Sequence, residues 1–454
     1  MRTSASERAG IDLAEFIETQ PVGRRQITLL LMCAAVLFCD GFDTQAIGYV
    51  APALAREWNL GRGALGSVFS AGLFGLLLGS LLFSPIADRV GRKRIVVVST
   101  LAFGVLTLLT VLAQDVTTLT LLRFLTGLGL GGAMPNAVAL TAEISPHRRR
   151  ATMVMAMFCG FSLGAAVGGL IAAAMIPAFG WRSVFILGGA TPLILALYLA
   201  RALPESARFL ALKGTEDARV GRIMAWLFPD QGFAMGTRFR VTEPTVRGVP
   251  VRQLFQDGRT TFTVLLWVVF FMSLVDLYFL SNWLPTVLSD LGASVSAAAI
   301  IGSMLQVGGL VGTFALGRVI DRFSFKALAV TYTVAAVAVA AVGLSHHSVG
   351  GVTVAIFAAG FCIVGGQIAA NALASGAYPT TARATGVGWA LGIGRVGSIV
   401  GPLVGGLLLS LHWSTEALFG VAAIPALFAA LAALILSRLR PAQPLLSKGN
   451  TQNA

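Results

Sequence analysis

The chain has 454 residues, 56% of them hydrophobic and only 12% charged, against about 25% charged in a soluble domain. So little polar cover excludes a soluble globular protein and points to a membrane protein. The formal net charge of +13 would suit nucleic acid if it were gathered on one surface, but its placement follows membrane topology instead.

Crossing the hydrocarbon takes about 20 apolar residues in a helix, and twelve runs reach that length. Residues 1–26 are polar, lack a signal-peptide pattern and read as a cytoplasmic segment, with the first apolar run retained as an anchor. Spans are expected at 27–50, 64–87, 94–113, 119–142, 152–175 and 182–203, a six-helix bundle over 27–203. A polar, largely basic central loop fills 204–260. Spans at 261–288, 296–320, 327–345, 350–373, 385–410 and 415–437 make a second bundle over 261–437, and 438–454 is a cytoplasmic tail. Of the 33 Lys and Arg, 28 fall in the termini and the alternate loops of one face. Arg56, Arg62 and Arg182 lie on the other, while Arg123 and Arg395 fall inside apolar runs. The asymmetry makes the basic face cytoplasmic, in a cell (inner) membrane, and removes nucleic acid as a partner. Cys33, Cys39, Cys159 and Cys362 sit within apolar runs without CxxC spacing. They read as packing residues, with no disulfide or metal site implied.

The two halves carry one punctuation. An offset of 233 residues brings Asp88-Arg89 onto Asp321-Arg322, Arg150-Ala151-Thr152 onto Arg383-Ala384-Thr385, and Asp43 onto Asp276. It also aligns Pro52 with Pro285 and Gly127, Gly132, Gly164 and Gly168 with Gly360, Gly365, Gly397 and Gly401. The fold class is therefore an all-α membrane protein of twelve transmembrane helices in two pseudo-symmetric six-helix bundles. Parallel repeats with a site between them near the midplane are the major facilitator arrangement. The loop Ala87-Asp88-Arg89-Val90-Gly91-Arg92-Lys93-Arg94 resembles that superfamily's loop motif, and Gly317-Arg318-Val319-Ile320-Asp321-Arg322 is a weaker copy. An Asp flanked by Arg at a helix end can pair with a neighbouring basic loop or helix terminus in one conformation and release it in another. Asp88, Arg89, Arg92, Asp321, Arg322, Arg150 and Arg383 are the expected gating residues.

An ionisable residue inside a span is costly unless paired or wetted, so each is a functional candidate. A rise of about 1.5 Å per residue puts Asp40 and Asp43 roughly 20 to 24 Å from the cytoplasmic end of span 1, level with Arg123 in span 4. Three residues apart, the two acids share a face and are expected to form a carboxylate pair held near Arg123. Two carboxylates at low dielectric do not both ionise cheaply, so the pair suits coupling to protons. The plainer reading is a static Asp–Arg pair joining spans 1 and 4. Glu143 is counted with the proton-coupling set, although its place near the cytoplasmic end of span 4, beside His147 and Arg148 to Arg150, suits a gate or helix-end pair. Arg395, near the midplane of span 11, requires an anion. Asp276 on span 7 supplies it, or the substrate's own carboxylate does, bound by the bidentate fork. At that level lie Asn136, Phe158, Phe161, Tyr278, Asn282, Trp283, Gln367, Asn371 and Trp389. Buried amides want partners and aromatic walls suit flat substrates, although lipid contact or packing accounts for any single ring. No nucleophile–base pair or cofactor loop is present, so neither an enzyme nor a cofactor is expected.

The residues Asp40-Gly41-Phe42-Asp43-Thr44-Gln45-Ala46-Ile47-Gly48, leading to Ala51-Pro52, resemble the span 1 signature of the aromatic acid:H⁺ symporters. The likeness continues through Gly131-Gly132-Ala133-Met134-Pro135-Asn136, Gly180-Trp181-Arg182-Ser183, Leu203-Pro204-Glu205-Ser206, Trp283-Leu284-Pro285, Gly386-Val387-Gly388-Trp389 and Gly394-Arg395-Val396-Gly397, essentially the whole chain. That resemblance implies proton-coupled import of a hydroxybenzoate-like carboxylate by alternating access, in a functional monomer surrounded by lipid. It also implies transport roles for Asp40, Asp43, Asp88, Arg123, Arg383 and Arg395. Ser324 and Phe325 depart from the second loop pattern and weaken the case for Asp321. A sugar or other organic-anion facilitator is the nearest rival, followed by a proton-driven exporter. A membrane enzyme or sensing receptor finds no supporting motif.

Overall fold

The structure, a computed structural model, describes residues 10–439 apart from 215–216, 234–236, 242–250, 257, 346–347 and 379; at 253, 318, 321, 375–377 and 380–384 the backbone alone is described. In chain order the elements are β1 (Ile11–Asp12), α1 (Leu13–Thr19), α2 (Arg24–Trp58), α3 (Arg62–Val90), α4 (Arg92–Leu109), α5 (Val116–Glu143), α6 (His147–Phe179) and α7 (Arg182–Ala202). Then come α8 (Ala207–Lys213), α9 (Asp217–Leu227), β2 (Phe239–Arg240), α10 (Thr260–Asp290), α11 (Val295–Leu344), α12 (Val349–Ala377), α13 (Thr380–Ser410) and α14 (Thr415–Arg438). Among the described residues twelve helical segments are long and apolar enough to cross a membrane, α11 contributing two, Val295–Gly317 and Arg322–Leu344. Several helices outrun the apolar stretches that announce them. The first continues from the expected 50 to Trp58, with Pro52 inside it. A helix shields its own backbone, so it continues past the last apolar residue into the headgroup layer.

The 233-residue repeat is physical as well as textual. Gly75 on α3 lies against the Phe124 carbonyl of α5, and Gly127 against that of Gly72; their counterparts Gly308 and Gly360 lie against the carbonyls of Phe357 and Leu305. Gly164 touches the Phe38 carbonyl and Gly397 that of Phe271, again offset by 233. A Cβ at any of these positions would strike backbone, so glycine sets the helix spacing in both halves.

The halves meet at the far face, opposite the basic loops. Ser70 Oγ on α3 donates to the Ile399 carbonyl on α13 at 2.9 Å, and Ser296 Oγ on α11 to the Ala173 carbonyl on α6 at 2.6 Å. Phe69 and Trp283 pack edge to face with centroids 5.1 Å apart. Toward the basic face the seam opens: Gly388 and Gly392 of α13 have no neighbour within 4 Å of where a Cβ would stand. The conformation is closed at the far face and open at the basic one.

The described parts of the N-terminal segment and of the central loop form regular structure and pack together. β1 pairs in parallel with β2, Ile11 opposite Phe239 and Asp12 opposite Arg240. Leu13, Ile17, Leu210, Val220, Ile223, Met224, Leu227 and Phe239 form a small core continuous with Leu29, Leu140, Ile144 and Met153 of the N-terminal half. The central loop thus caps the basic end of that half. The spacing of Val220, Met224 and Leu227 is a one-sided helical stripe and was the sequence signal for this cap.

Candidate functional site

The first buried charge cluster lies inside the N-terminal half. Asp43 and Arg123 are 2% and 4% exposed and approach to 3.3 Å. Asp43 Oδ1 also accepts from Thr107 Oγ1 at 2.7 Å. Arg123 Nη2 donates to Thr110 Oγ1 at 2.6 Å and to Thr126 Oγ1 at 3.3 Å. The guanidinium lies over the Phe185 ring at 4.9 Å. Four helices thus converge on one ion pair, which compensates the burial of two charges that neither could bear alone. A small cavity of about 30 Å³ borders the pair, lined by Thr44, Ile47, Phe69, Leu73 and, from the other half, Asn282.

Asp40 does not share those partners. It is fully buried; its Oδ1 accepts from Thr44 Oγ1 at 3.1 Å, and its Oδ2 has no hydrogen-bond partner. The cation that acts on it is Arg395, from the opposite half. Three residues of helix rotate a side chain by about 60° net, enough to turn Asp43 into its own bundle and Asp40 across the seam. The expected carboxylate pair around Arg123 is therefore split between two arginines. Sequence reasoning did not foresee the facing of Asp40 and Arg395, because it joins residues of different halves.

Arg395 Nη2 donates to Met134 Sδ on α5 at 3.3 Å, and the Tyr278 hydroxyl of α10 lies beside the guanidinium. Among the described residues Arg395 makes no salt bridge. Asp276 is not its resident partner. Two residues before Tyr278, it points about 160° away around α10, into the C-terminal half, where Tyr332 is its titratable neighbour. Its Oδ2 lacks a hydrogen-bond partner among the described residues, and Ser273 lies beside the Tyr332 hydroxyl. One turn below, Ser273 Oγ donates to Gln367 Oε1, and Asn371, a turn further along α12, keeps an unpartnered Oδ1.

Asn136 is buried and donates to the Gly132 carbonyl of its own helix at 2.8 Å, two residues from Met134. Phe158 and Phe161 are half-buried against the N-terminal core, and the Phe161 backbone seats Gly41. Two expected wall residues lie elsewhere. Trp283 is buried in the far-face closure, its Nε1 donating to the Pro402 carbonyl at 3.0 Å. Trp389 is 43% exposed and shares a heptad stripe with the exposed Val396 and Leu403, so it faces out of the bundle, stacked on Trp267 at 5.8 Å. One residue of helix is a 100° turn, which separates Trp389 from the seam-facing Gly388.

The gating candidates gather at the basic end of the N-terminal half. Arg92 pairs with Glu143 and lies 3.8 Å from Asp88. Ser206 Oγ donates to Glu143 Oε2 at 2.6 Å. Glu205 accepts from the Lys93 backbone N–H at 2.9 Å, a carboxylate at the positive end of α4. Gly91 is required there twice over: its φ is +109°, and a Cβ would strike the Glu205 carboxylate. Glu143 accordingly belongs with this cluster and not with the proton-coupling acids, since 20 residues of α5 put it about 30 Å from Arg123. Arg89 and Arg322 are exposed; Arg322 lies over Phe323 at 5.2 Å. Arg150 lines a small cavity with Glu18, Glu143 and Glu205. The side chains of Asp321 and Arg383 lie outside the described residues. The counterpart of Gly91 is Ser324, which breaks the helix of α11 at φ +48°, ψ −130°.

The sequence matches the profile of the Major Facilitator Superfamily over residues 33–348 and again over 266–453. It is 43% identical to the 4-hydroxybenzoate transporter PcaK of Pseudomonas aeruginosa and 42% identical to a gallate transporter of Pseudomonas putida, each over 94% of this chain and 95% of the relative. It is 32% identical to a benzoate transport protein of Acinetobacter baylyi, over 92% and 90%. In fold it is similar to the xylose transporter XylE of E. coli in a partially occluded inward-open conformation, with a TM-score of 0.70 at 16% identity, covering 92% of this chain and 98% of the other. A bacterial homologue of the lysosomal transporter Spinster, inward-facing and unoccupied, gives 0.69 at 19%, with the same coverage.

Proposed function

This chain is a transporter that belongs to the Major Facilitator Superfamily, and on that premise we propose that it imports a small aromatic carboxylate together with protons by alternating access. The observation that carries the reading is Arg395: a half-buried guanidinium at the seam, without a salt bridge among the described residues, faced across the seam by Asp40 with one free carboxylate oxygen. A substrate carboxylate takes the bidentate fork of Arg395, with Tyr278 and Met134 beside it and the ring lying in the seam. Asp40 then loses its counter-charge to the substrate, and a proton on its free oxygen keeps the site balanced. Substrate and proton therefore bind together and leave together, which is the condition for symport. Asp43–Arg123 holds α2 in register with α4 and α5 during the exchange. The names of the relatives, transporters of 4-hydroxybenzoate, gallate and benzoate, support an aromatic acid as cargo.

In this reading the basic face is cytoplasmic, both termini lie there, and the membrane is the cell (inner) membrane. The site is complete within one chain, so the monomer works alone. The cluster of Asp88, Arg92, Glu143 and Glu205, with Asp321 and Arg383 from the second half, closes the cytoplasmic mouth when the far face opens. Uptake into proteoliposomes under an imposed pH gradient, inside alkaline, tests the assignment across benzoate, hydroxybenzoates, protocatechuate and gentisate. Accumulation of an aryl acid that collapses with a protonophore is expected. Accumulation of a sugar and of no aryl acid overturns it.

A further inference from the structure

At the far face the halves touch through residues that the duplication makes equivalent. Adding 233 to Arg56 and Glu57 gives Ser289 and Asp290, and Arg56 Nη2 donates to Ser289 Oγ across the seam at 2.6 Å. Arg62 forms an ion pair with Asp290, and both guanidiniums act on that carboxylate. Glu57, the counterpart of Asp290, turns the other way. It accepts from Arg182 Nη1 at 2.8 Å and from Trp181 Nε1 at 2.7 Å, inside its own half. Of the three arginines on this face, Arg182 is therefore neutralised locally, whereas Arg56 and Arg62 bridge the seam and share one acid. They line a cleft of about 480 Å³ together with Pro52, Asn59, Leu409 and His412.

We propose that Arg56 and Arg62 form an outer docking site for the carboxylate of the incoming substrate, and that Asp290 occupies this site while the far mouth is shut. The inference rests on the import reading above. Within the cleft two guanidiniums face one carboxylate, and that local surplus of positive charge attracts an anion to this spot. When the halves part, the Arg62–Asp290 pair and the Arg56–Ser289 bond break together, and two guanidiniums are left with free donors. A carboxylate accepts from such a fork bidentately, with its ring against Pro52 and Leu409. As the mouth closes, Asp290 returns to Arg62, displaces the substrate carboxylate and sends it inward toward Arg395. Each carboxylate is exchanged for another, so neither arginine is left buried without an anion.

Uptake of external 4-hydroxybenzoate by proteoliposomes tests this. Arg56→Gln and Arg62→Gln are each expected to raise KM about tenfold, the loss of one charge-assisted contact, with the maximal rate within about twofold of the parent. Arg62→Lys keeps the charge but not the fork, so its KM falls between those of the parent and Arg62→Gln, and raising the ionic strength narrows the gap between parent and variants because the attraction is screened. Arg182→Gln leaves KM unchanged. Asp290→Asn removes the competing carboxylate and lowers KM, an arm that does not depend on the arginine variants reaching the membrane. An unaltered KM in both arginine variants, an equal rise in Arg182→Gln, or a fall in maximal rate alone overturns the docking site. A parent protein that carries no aryl acid defeats the import reading instead, so the two failures are distinguishable.

Discussion

The two halves share a backbone plan and differ in what their buried acids meet. Asp43 and Asp276 are equivalent positions on α2 and α10, both buried. Asp43 finds Arg123 and Thr107, and Arg123 in turn finds Thr110, whereas at the corresponding places the second half carries Ile356, Ala340 and Gly343. Asp276 is left facing Tyr332 with one oxygen unpartnered. Conversely, Arg395 has only Ser162 as its counterpart. The glycine contacts that space the helices survived duplication in both copies, while the charges diverged into a closed ion pair in one half and a seam-facing cation in the other. Packing constrains both copies alike; chemistry needs to be present once.

The comparison can be broken at its strongest point first. Arg395→Gln should reduce 4-hydroxybenzoate uptake at least a hundredfold, the loss of a charge-assisted bidentate contact worth about 3 kcal/mol or more, while Arg395→Lys keeps a fraction of it. Full activity in Arg395→Gln would return this arginine to a packing role. Asp43→Ala leaves Arg123 buried and unpaired, so unfolding in detergent should show a loss of about 3–5 kcal/mol. Joint replacement of both partners by apolar residues should cost much less, which separates a stabilising pair from an essential proton carrier once uptake is measured in the double variant. Asp276→Asn should change stability by no more than about 1 kcal/mol, since no cation depends on it. A loss as large as that of Asp43→Ala would make the halves alike after all. Smallest, Ser324→Gly should stabilise by about 1 kcal/mol by relieving a positive φ that serine tolerates poorly, whereas Gly91→Ser at the equivalent position should destabilise through Glu205.

The fold was almost entirely legible in the sequence. Twelve apolar runs, a single offset of 233 and the repeated Asp-Arg and Arg-Ala-Thr punctuation specify two six-helix bundles, because lipid demands long apolar helices and duplication leaves its register behind. The buried charges Asp40, Asp43, Arg123 and Asp276 were legible too, since an intramembrane charge is too costly to be incidental. What the sequence left undecided was partnership. Asp40 and Asp43 read as one pair and point to different arginines. Asp276 read as one of two anions for Arg395, the other being the substrate's carboxylate, and lies on the far side of α10 from Tyr278. Trp389 read as cavity wall and faces outward, and Glu143, counted with the coupling acids although its depth suited a helix-end pair, sits in the basic-end cluster. In the cap, β1 and α1 read as a polar cytoplasmic segment, and α8, α9 and β2 as loop.

Each of these turns on one or two residues of helix rotation, 100° or 200° around an axis whose orientation no local pattern records. The residue types, their depths and the sign of the basic face follow from composition and spacing along one dimension. Which acid faces which base follows from how α2, α5, α10 and α13 are rotated against one another, and that is set by glycine contacts and seam packing between residues more than 200 positions apart, as between Ser70 and Ile399. Sequence alone determined a duplicated membrane transporter fold with a few buried charges; tertiary structure decided that Asp43 closes on Arg123 and that Asp40 lies in the field of Arg395.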